Sequence, residues 1–238
     1  MTETDLGILC TTDWLLVKYR KGSSSTLSVS FSGIGFNEGA DQRPEFLATA
    51  SEGSVNHVLS IIDRKRSWYS TIGLQDQIVT LVRRYIADNG ITRVNCIGNS
   101  MGGFGALAFA DRLGAEFAIA LAPQYSMDPD VISDRRWAKF RPFMFPETMP
   151  RLKDEMKGAA RYYVFFGTQT PKDLHHMELF AKQALARITV LRGTDHHVGK
   201  KLRKLKLLQP IKSAIAEENH AQLDVLLKPY VAADAQLG

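Results

Sequence analysis

The sequence predicts an α/β fold in which a mostly parallel central sheet is flanked by helices. Short apolar segments alternate with amphipathic helical patterns along most of the 238 residues, and this alternation is typical of parallel strands joined by right-handed crossovers. In addition, a Gly-x-Ser-x-Gly sequence at residues 98–102 lies between one apolar segment and one helical pattern. That order places a serine at a strand-to-helix turn, where such folds carry chemistry.

The pattern predicts each element in chain order. Apolar segments predict strands, and apolar residues spaced three or four apart predict helices. A turn cluster at residues 21–25 predicts that the first two strands form a hairpin. The predicted elements are strands at 14–19 and 27–31, a short helix at 45–50, a strand at 57–62, a helix at 74–86, a strand at 94–97, a helix at 101–113, strands at 117–121 and 162–166, a helix at 174–185, a strand at 188–191 and helices after 198.

Length and composition suit one globular domain spanning residues 1–238, since 45% of the residues are hydrophobic and 23% charged. The rhythm breaks at residues 124–160, which are rich in proline and scattered aromatics. We expect a small lid or insertion there. A flap over an apolar cleft and a surface excursion pinned by its aromatic side chains both fit the pattern.

Several function classes are disfavoured by composition. The chain has no apolar run of eighteen residues, and its first five residues include two acidic ones and no basic one, so we expect a cytoplasmic protein with no membrane span. Two cysteines, Cys10 and Cys96, are predicted to be ordinary buried thiols with no disulfide. The net charge of +5 comes partly from five basic residues within 200–206, but leucines interleave them at helical spacing. We therefore favour a solvated helix over a nucleic-acid or membrane patch.

The Gly-x-Ser-x-Gly turn carries the main functional prediction. A serine at such a corner has its hydroxyl pushed out of the sheet, and the backbone passes so close to itself that Gly98 and Gly102 are needed on either side. The helix that follows aims its N-terminal amides at the point where negative charge appears when Ser100 attacks a carbonyl. This arrangement is a nucleophile elbow.

Polar residues follow two later predicted strands, at Asp173 and at the tandem His196 and His197. Carboxyl ends of parallel strands meet at one edge of an open α/β sheet, which is where ligands bind. The chain order is serine, acid, histidine. This order and the sequence of residues 98–107 resemble those of the α/β-hydrolase superfamily. The resemblance extends from about residue 14 to residue 208. Residues 98–107 are most similar to the Ser-Met-Gly-Gly esterases and acyl-transfer enzymes.

The resemblance implies roles residue by residue. Ser100 is the expected nucleophile, and the amide of Met101 supplies one oxyanion donor. The second amide follows a His-Gly pair in the family. Here the pair reads Ser32-Gly33, so Ile34 is its counterpart.

The histidine and the acid each have an alternative. His196 fits the family's Gly-x-x-His spacing from Gly193, and the neighbouring His197 is the alternative base. In the family the acid is commonly an aspartate three residues after the glycine that ends the preceding strand, and Thr170 occupies that position here. We therefore favour Asp173, three residues later, as the acid. Asp128 is the alternative, at the position that some relatives use. We assign no role to a second tandem pair at 175–176, which suits solvent exposure or a helix cap.

These residues predict a serine hydrolase that cleaves carboxylic esters: Ser100 attacks, His196 moves the proton and Asp173 orients the imidazole. We expect a small-molecule ester or thioester substrate, no nucleic acid partner, no organic cofactor and no metal. Acyl transfer or thioester hydrolysis uses the same chemistry and stays open, as does a non-catalytic member of the fold that binds a ligand or partner. Acyl chain length and oligomeric state also stay open.

Overall fold

The computed structural model describes residues 6–35 and 42–232. Eight strands form one sheet in the order β1-β2-β4-β3-β5-β6-β7-β8. The strands are β1 (Gly7–Thr11), β2 (Leu15–Arg20), β3 (Thr26–Phe31), β4 (His57–Asp63), β5 (Arg93–Asn99), β6 (Phe117–Leu121), β7 (Arg161–Gly167) and β8 (Ala186–Leu191). β1 pairs antiparallel with β2, and β2 pairs antiparallel with β4. The six strands β3 to β8 are mutually parallel. The predicted α/β class with a mostly parallel sheet is confirmed.

The predicted hairpin between the strands at 14–19 and 27–31 is wrong. β2 pairs with β4, while β3 lies between β4 and β5. Ser28 and Ser30 alternate with apolar residues along β3, and both serines are fully buried. Ser28 Oγ donates to Asn95 Oδ1 at 2.8 Å, so its hydroxyl is satisfied inside the protein. β3 is therefore a central strand, and β1, which lacks a clear pattern, was not predicted.

The helices cover both faces of the sheet. They are α1 (Leu47–Ser51), α2 (Leu74–Asp88), α3 (Met101–Ala110), α4 (Leu152–Glu155), α5 (Pro171–Gln183), α6 (Val198–Lys204), α7 (Leu208–Ala216) and α8 (His220–Leu227). Side chains of α2, α3 and α5 pack in one apolar cluster, and those of α6, α7 and α8 pack in another on the opposite face. Alternate residues of β6 point into the two clusters, as strand geometry requires.

The chain between β6 and β7, residues 122–160, contains short helical turns and no strand. We call it the β6–β7 segment. Its turns are 3₁₀ helices at Ala138–Phe143 and Pro146–Thr148, followed by α4. Prolines at 142 and 146 limit the length of these helices because proline lacks an amide proton.

Four of the five basic residues within 200–206 lie on α6, with Leu202 buried against the core and Lys200, Arg203 and Lys204 exposed. The helix ends at Lys204, so Lys206 lies beyond it and Leu208 belongs to α7. Cys96 is a buried free thiol, as predicted, whereas the free thiol Cys10 is half-buried. Within residues 6–35 and 42–232, no helix combines the length and apolar character needed to cross a membrane.

Candidate active site

Five parallel strands end at the same edge of the sheet, and each is followed by a residue of interest. Ile34 follows β3, Ser100 follows β5, Gln124 follows β6, Asp173 follows β7 and His196 follows β8. Because the strands are parallel, their carboxyl ends bring residues far apart in sequence into one place.

The turn at Ser100 has the geometry of a nucleophile elbow. Ser100 has φ 55° and ψ −123°, a strained backbone conformation for a residue with a side chain. Its N–H donates to the Leu121 carbonyl at 2.8 Å, which ties the elbow to β6. A Cβ on Gly98 would lie 2.0 Å from the Gly102 carbonyl oxygen, and one on Gly102 would lie 2.1 Å from that of Phe31. Both glycines are therefore required by close backbone approach.

Ser100, His196 and Asp173 form a continuous hydrogen-bonded chain. His196 Nε2 lies 3.0 Å from Ser100 Oγ, and His196 Nδ1 lies 2.8 Å from Asp173 Oδ2. The Asp173 side chain is 1% exposed and that of His196 is 17% exposed. A buried carboxylate that accepts a hydrogen bond from Nδ1–H keeps the proton on that nitrogen and leaves Nε2 free to accept the serine proton.

The alternative residues lie elsewhere. His197 precedes α6, its side chain is 57% exposed, and its Nδ1 lies 3.2 Å from Asp195 Oδ2. Asp128 Oδ1 accepts the backbone N–H of Asp130 at 2.9 Å and so closes a local turn. Thr170 is the N-cap residue of α5. Of the sequence candidates, the structure brings His196 and Asp173 to the serine.

A second side chain contacts the serine hydroxyl and was not predicted. Gln124, which is fully buried, places Nε2 3.2 Å from Ser100 Oγ. Trp68 Nε1–H donates to Gln124 Oε1 at 3.0 Å. Since the indole can only donate, it fixes the amide so that the NH₂ group faces the serine. Trp68 thus holds the Gln124 amide in place behind the site. The sequence signal that could have identified Gln124 is its position just after β6.

The second oxygen of Asp173 also has a partner that the sequence did not indicate. Arg136 Nη1 donates to Asp173 Oδ1 at 2.8 Å, and Arg136 Nη2 donates to Asp134 Oδ2 at 2.7 Å. His176 Nε2 lies 3.2 Å from that same oxygen of Asp134. Burial acts to raise the pKa of the Asp134 carboxyl, but hydrogen bonds from His176 and Arg136 outweigh it and hold that pKa well below its usual range.

His176 corrects one sequence expectation. The tandem pair at 175–176 suited exposure or a helix cap, yet His176 is fully buried in the middle of α5, and its Nδ1 accepts the Tyr125 backbone N–H at 3.0 Å. The helix period turns one histidine of the pair inward, which local composition does not indicate.

The predicted oxyanion residues lie near the elbow, Met101 directly after Ser100 in sequence and Ile34 in a loop that approaches it in space. Met101 is the first residue of α3 and is fully buried. Ile34 follows Gly33, where an added Cβ would lie 3.1 Å from the Asn99 carbonyl oxygen, so the loop after β3 passes directly beside the elbow. The Ile34 carbonyl accepts from Arg66 Nε at 2.8 Å. These contacts position the loop, and the amides' role as oxyanion donors stays a prediction.

A carboxyl group lies against the same loop. Glu45 accepts a hydrogen bond from the Gly33 backbone, and burial raises its pKa to about 7, against lowering by that bond and by Arg203. Through this hydrogen bond the loop after β3 contacts a carboxyl group, that of Glu45, whose pKa lies near neutral pH.

Aromatic side chains of the β6–β7 segment cover the histidine. The Trp137 ring centroid lies 5.7 Å from that of His196 and 6.1 Å from that of Trp68. Phe140 packs on Trp68 at 6.0 Å, whereas Phe143 is largely exposed. Among the described residues, no group of three His, Cys, Asp or Glu side chains has an arrangement that could hold a metal ion.

Solved structures share this architecture. The capsule O-acetyltransferase of Neisseria meningitidis serogroup A matches with a TM-score of 0.63 at 15% identity, over 84% of this chain and 92% of that one. The esterase Est2 of Thermogutta terrifontis matches with a TM-score of 0.60 at 14% identity, over 89% and 93%. XC6422 of Xanthomonas campestris, described as an α/β serine hydrolase without lid, matches with a TM-score of 0.53 at 14% identity, over 97% of both chains.

The chain has the α/β-hydrolase fold. At such identities the likeness establishes this architecture, and activity must be argued from the site itself. Sequence comparison finds no matching family model and no matching curated protein. In this α/β-hydrolase fold the elbow serine, the residue after β7 and the residue after β8 meet in hydrogen-bond contact.

Proposed function

We propose that this protein is a serine hydrolase that cleaves carboxylic esters through an acyl-enzyme on Ser100. The observation that supports the proposal most strongly is the hydrogen-bonded chain from Ser100 Oγ through the His196 ring to Asp173 Oδ2. The strained backbone of Ser100 is a second support, because a binding module gains little from holding a serine in that conformation.

In the proposed reaction, Ser100 Oγ attacks the ester carbonyl carbon while His196 Nε2 takes the hydroxyl proton. The tetrahedral intermediate collapses when the C–O bond to the alcohol breaks, and Nε2–H protonates that leaving oxygen. Water then attacks the acyl-enzyme, gives a proton to Nε2, and releases the carboxylic acid as Oγ regains its proton. Asp173 accepts the Nδ1–H bond throughout and stabilises the imidazolium.

We assign the oxyanion to the backbone amides of Met101 and Ile34. The N-terminus of α3 carries unpaired amides and the positive end of the helix dipole, both of which stabilise developing negative charge. Ile34 supplies the second amide from the loop that passes beside the elbow. We assign no cofactor or metal to this reaction, and we treat residues 124–160 as a small insertion that covers His196 with Trp137.

Acyl transfer is the second candidate, and it differs only in whether water or another hydroxyl resolves the acyl-enzyme. Its support is the likeness in fold to the capsule O-acetyltransferase, which has also been solved in complex with CoA. Adding an alcohol acceptor to a nitrophenyl acetate assay distinguishes the two. A hydrolase releases acetate in proportion to nitrophenol, whereas a transferase releases nitrophenol faster with acceptor and yields the acetylated alcohol.

The test of the proposed function is turnover of nitrophenyl esters from acetate to octanoate by the wild-type protein and by Ser100→Ala. We expect turnover by the wild type and a loss of several orders of magnitude in the variant. Its thermal midpoint should move little, because the substitution removes a single hydroxyl and leaves the backbone of the elbow unchanged. The chain-length profile then defines the acyl pocket. More than a tenth of wild-type kcat in Ser100→Ala would remove Ser100 from the role of nucleophile.

A further inference from the structure

We propose that Arg136 and Asp134 are positioning residues that act through Asp173 on the charge state of His196. This inference rests on the proposed function, since it concerns how the base is tuned. It assigns to the β6–β7 segment a part in the chemistry, because both residues belong to that segment and Asp173 belongs to α5.

Arg136 joins two carboxylates. Its Nη1 donates to Asp173 Oδ1 at 2.8 Å, while Asp173 Oδ2 faces His196 Nδ1 at the same distance. Its Nε donates to Asp134 at 3.1 Å and its Nη2 donates at 2.7 Å. The guanidinium thus binds the oxygen of Asp173 that does not face the imidazole, while its other nitrogens bind Asp134. Both carboxylates are nearly fully buried, and the Arg136 side chain is 26% exposed, so these charges interact with little screening by water.

His176 closes the cluster without adding charge. The Tyr125 backbone N–H points at His176 Nδ1 at 3.0 Å, and an N–H can only donate, so Nδ1 carries no proton. The ring proton is therefore on Nε2, where it donates to Asp134 Oδ2 at 3.2 Å. The ring is neutral, and its contact with Asp134 is a hydrogen bond and not an ion pair.

The charges in the cluster now follow. Arg136 alone would cancel the negative charge of Asp173 and so weaken the support that an orienting carboxylate gives to the imidazolium. Asp134 restores it: two carboxylates and one guanidinium leave one net negative charge beside His196. The ionisable groups that face this set from the neighbouring elements include His176 and Lys172 on α5, the latter donating to the Ser133 carbonyl at 3.1 Å, and His197 with its partner Asp195 before α6. Arg136 and Asp134 together thus fix the position of the Asp173 carboxylate, and the net negative charge that stabilises the imidazolium of His196 is kept.

This account predicts opposite effects for the two residues. Arg136→Gln removes the positive charge and makes the imidazolium easier to form, so the acid limb of the rate profile moves to higher pH. Asp134→Asn removes the negative charge and leaves Arg136 uncompensated, so the limb moves to lower pH. We expect each midpoint to shift by about half to one pH unit. A residue that only supports packing would lower stability and leave the midpoint in place.

The experiment measures the second-order rate of labelling by a fluorophosphonate against pH. In this step Ser100 Oγ bonds to phosphorus, fluoride leaves and His196 takes the hydroxyl proton, so the rate reports the neutral base and needs no known substrate. Arg136→Lys, which keeps the charge, should keep the wild-type midpoint. Arg135→Gln is the matched control, because it removes an exposed arginine from the same segment; its midpoint should stay in place.

The outcomes separate this inference from the proposed function. Absence of labelling in the wild type defeats the proposed function. Labelling with midpoints of Arg136→Gln and Asp134→Asn unchanged, or moved in the same direction, overturns the inference alone. If circular dichroism shows that Arg136→Gln does not fold, Asp134→Asn decides: a shift to lower pH supports the inference and an unshifted midpoint overturns it.

Discussion

Replacing Asp173 by asparagine changes one carboxylate oxygen into an NH₂ group and leaves the side-chain shape intact. The surrounding contacts dictate which way the amide points. Arg136 Nη1 lies 2.8 Å from Asp173 Oδ1 and can only donate, so the asparagine carbonyl must remain on that side. The NH₂ group is then directed at His196 Nδ1, which lies 2.8 Å from the other oxygen.

This orientation inverts the imidazole tautomer. Nδ1 must now accept a hydrogen bond and lose its proton, which moves to Nε2, the atom 3.0 Å from Ser100 Oγ. A protonated Nε2 cannot take the serine proton, and the imidazolium also loses a buried negative partner. Loss of both contributions should cost about ten-thousandfold in kcat, the effect of removing an orienting aspartate from a Ser-His-Asp triad, and this corresponds to about 5 kcal/mol of transition-state stabilisation.

The assay is kcat for the best nitrophenyl ester, measured for Asp173→Asn, Asp128→Asn and the double variant Arg136→Met with Asp173→Asn. Asp128→Asn should be close to wild type, because Asp128 closes a turn and asparagine closes such turns equally well. In the double variant the amide is free to turn its oxygen toward Nδ1, so kcat should rise about tenfold above Asp173→Asn alone. A kcat for Asp173→Asn within tenfold of wild type would refute the role of Asp173 in orienting His196. A large loss of kcat in Asp128→Asn would assign that role to Asp128.

Two further predictions concern the base and the loop after β3. His196→Ala should lose at least about a thousandfold in kcat, whereas His197→Ala should stay near wild type because that ring is 57% exposed and pairs with Asp195; the reverse pattern of kcat values would exchange the two roles. Burial raises the pKa of Glu45 from 4.5 to about 7. Ionising this carboxyl in the folded protein therefore lowers the free energy of unfolding, by an amount that grows from about pH 4.5 to pH 7 and is constant above it. Glu45→Gln escapes this cost, by at most about 3 kcal/mol, and its thermal midpoint relative to wild type should rise between pH 5 and pH 8; a constant difference across that range would contradict the burial argument.

The elbow could be predicted from the sequence because everything that defines it is local. A buried strand, two glycines and a helix occur within residues 94–113, and the structure forms them in that order. The positions of Asp173 and His196 followed from chain order, since parallel strands bring their carboxyl ends to one edge. Local pattern and connectivity therefore located the residues that the structure brings together.

Non-local pairing could not be predicted in the same way. The serines of β3 have the same sequence pattern whether they face solvent or Asn95, and only the neighbouring strands decide. Arg136 and Asp134 look like surface charges in a loop, yet their partners Asp173 and His176 lie about forty residues away in the chain. Such contacts depend on how the β6–β7 segment folds back on α5, which has no periodic signature in sequence.

Covalent labelling tests most directly whether Ser100 is an activated nucleophile. After treatment with a fluorophosphonate, trypsin releases a peptide spanning residues 94–112 in which Ser100 is the single serine. We predict one adduct per chain, located on this peptide, absent from Ser100→Ala and strongly reduced in His196→Ala. A folded wild-type protein that takes up no label, or a label that persists in Ser100→Ala, would contradict the account.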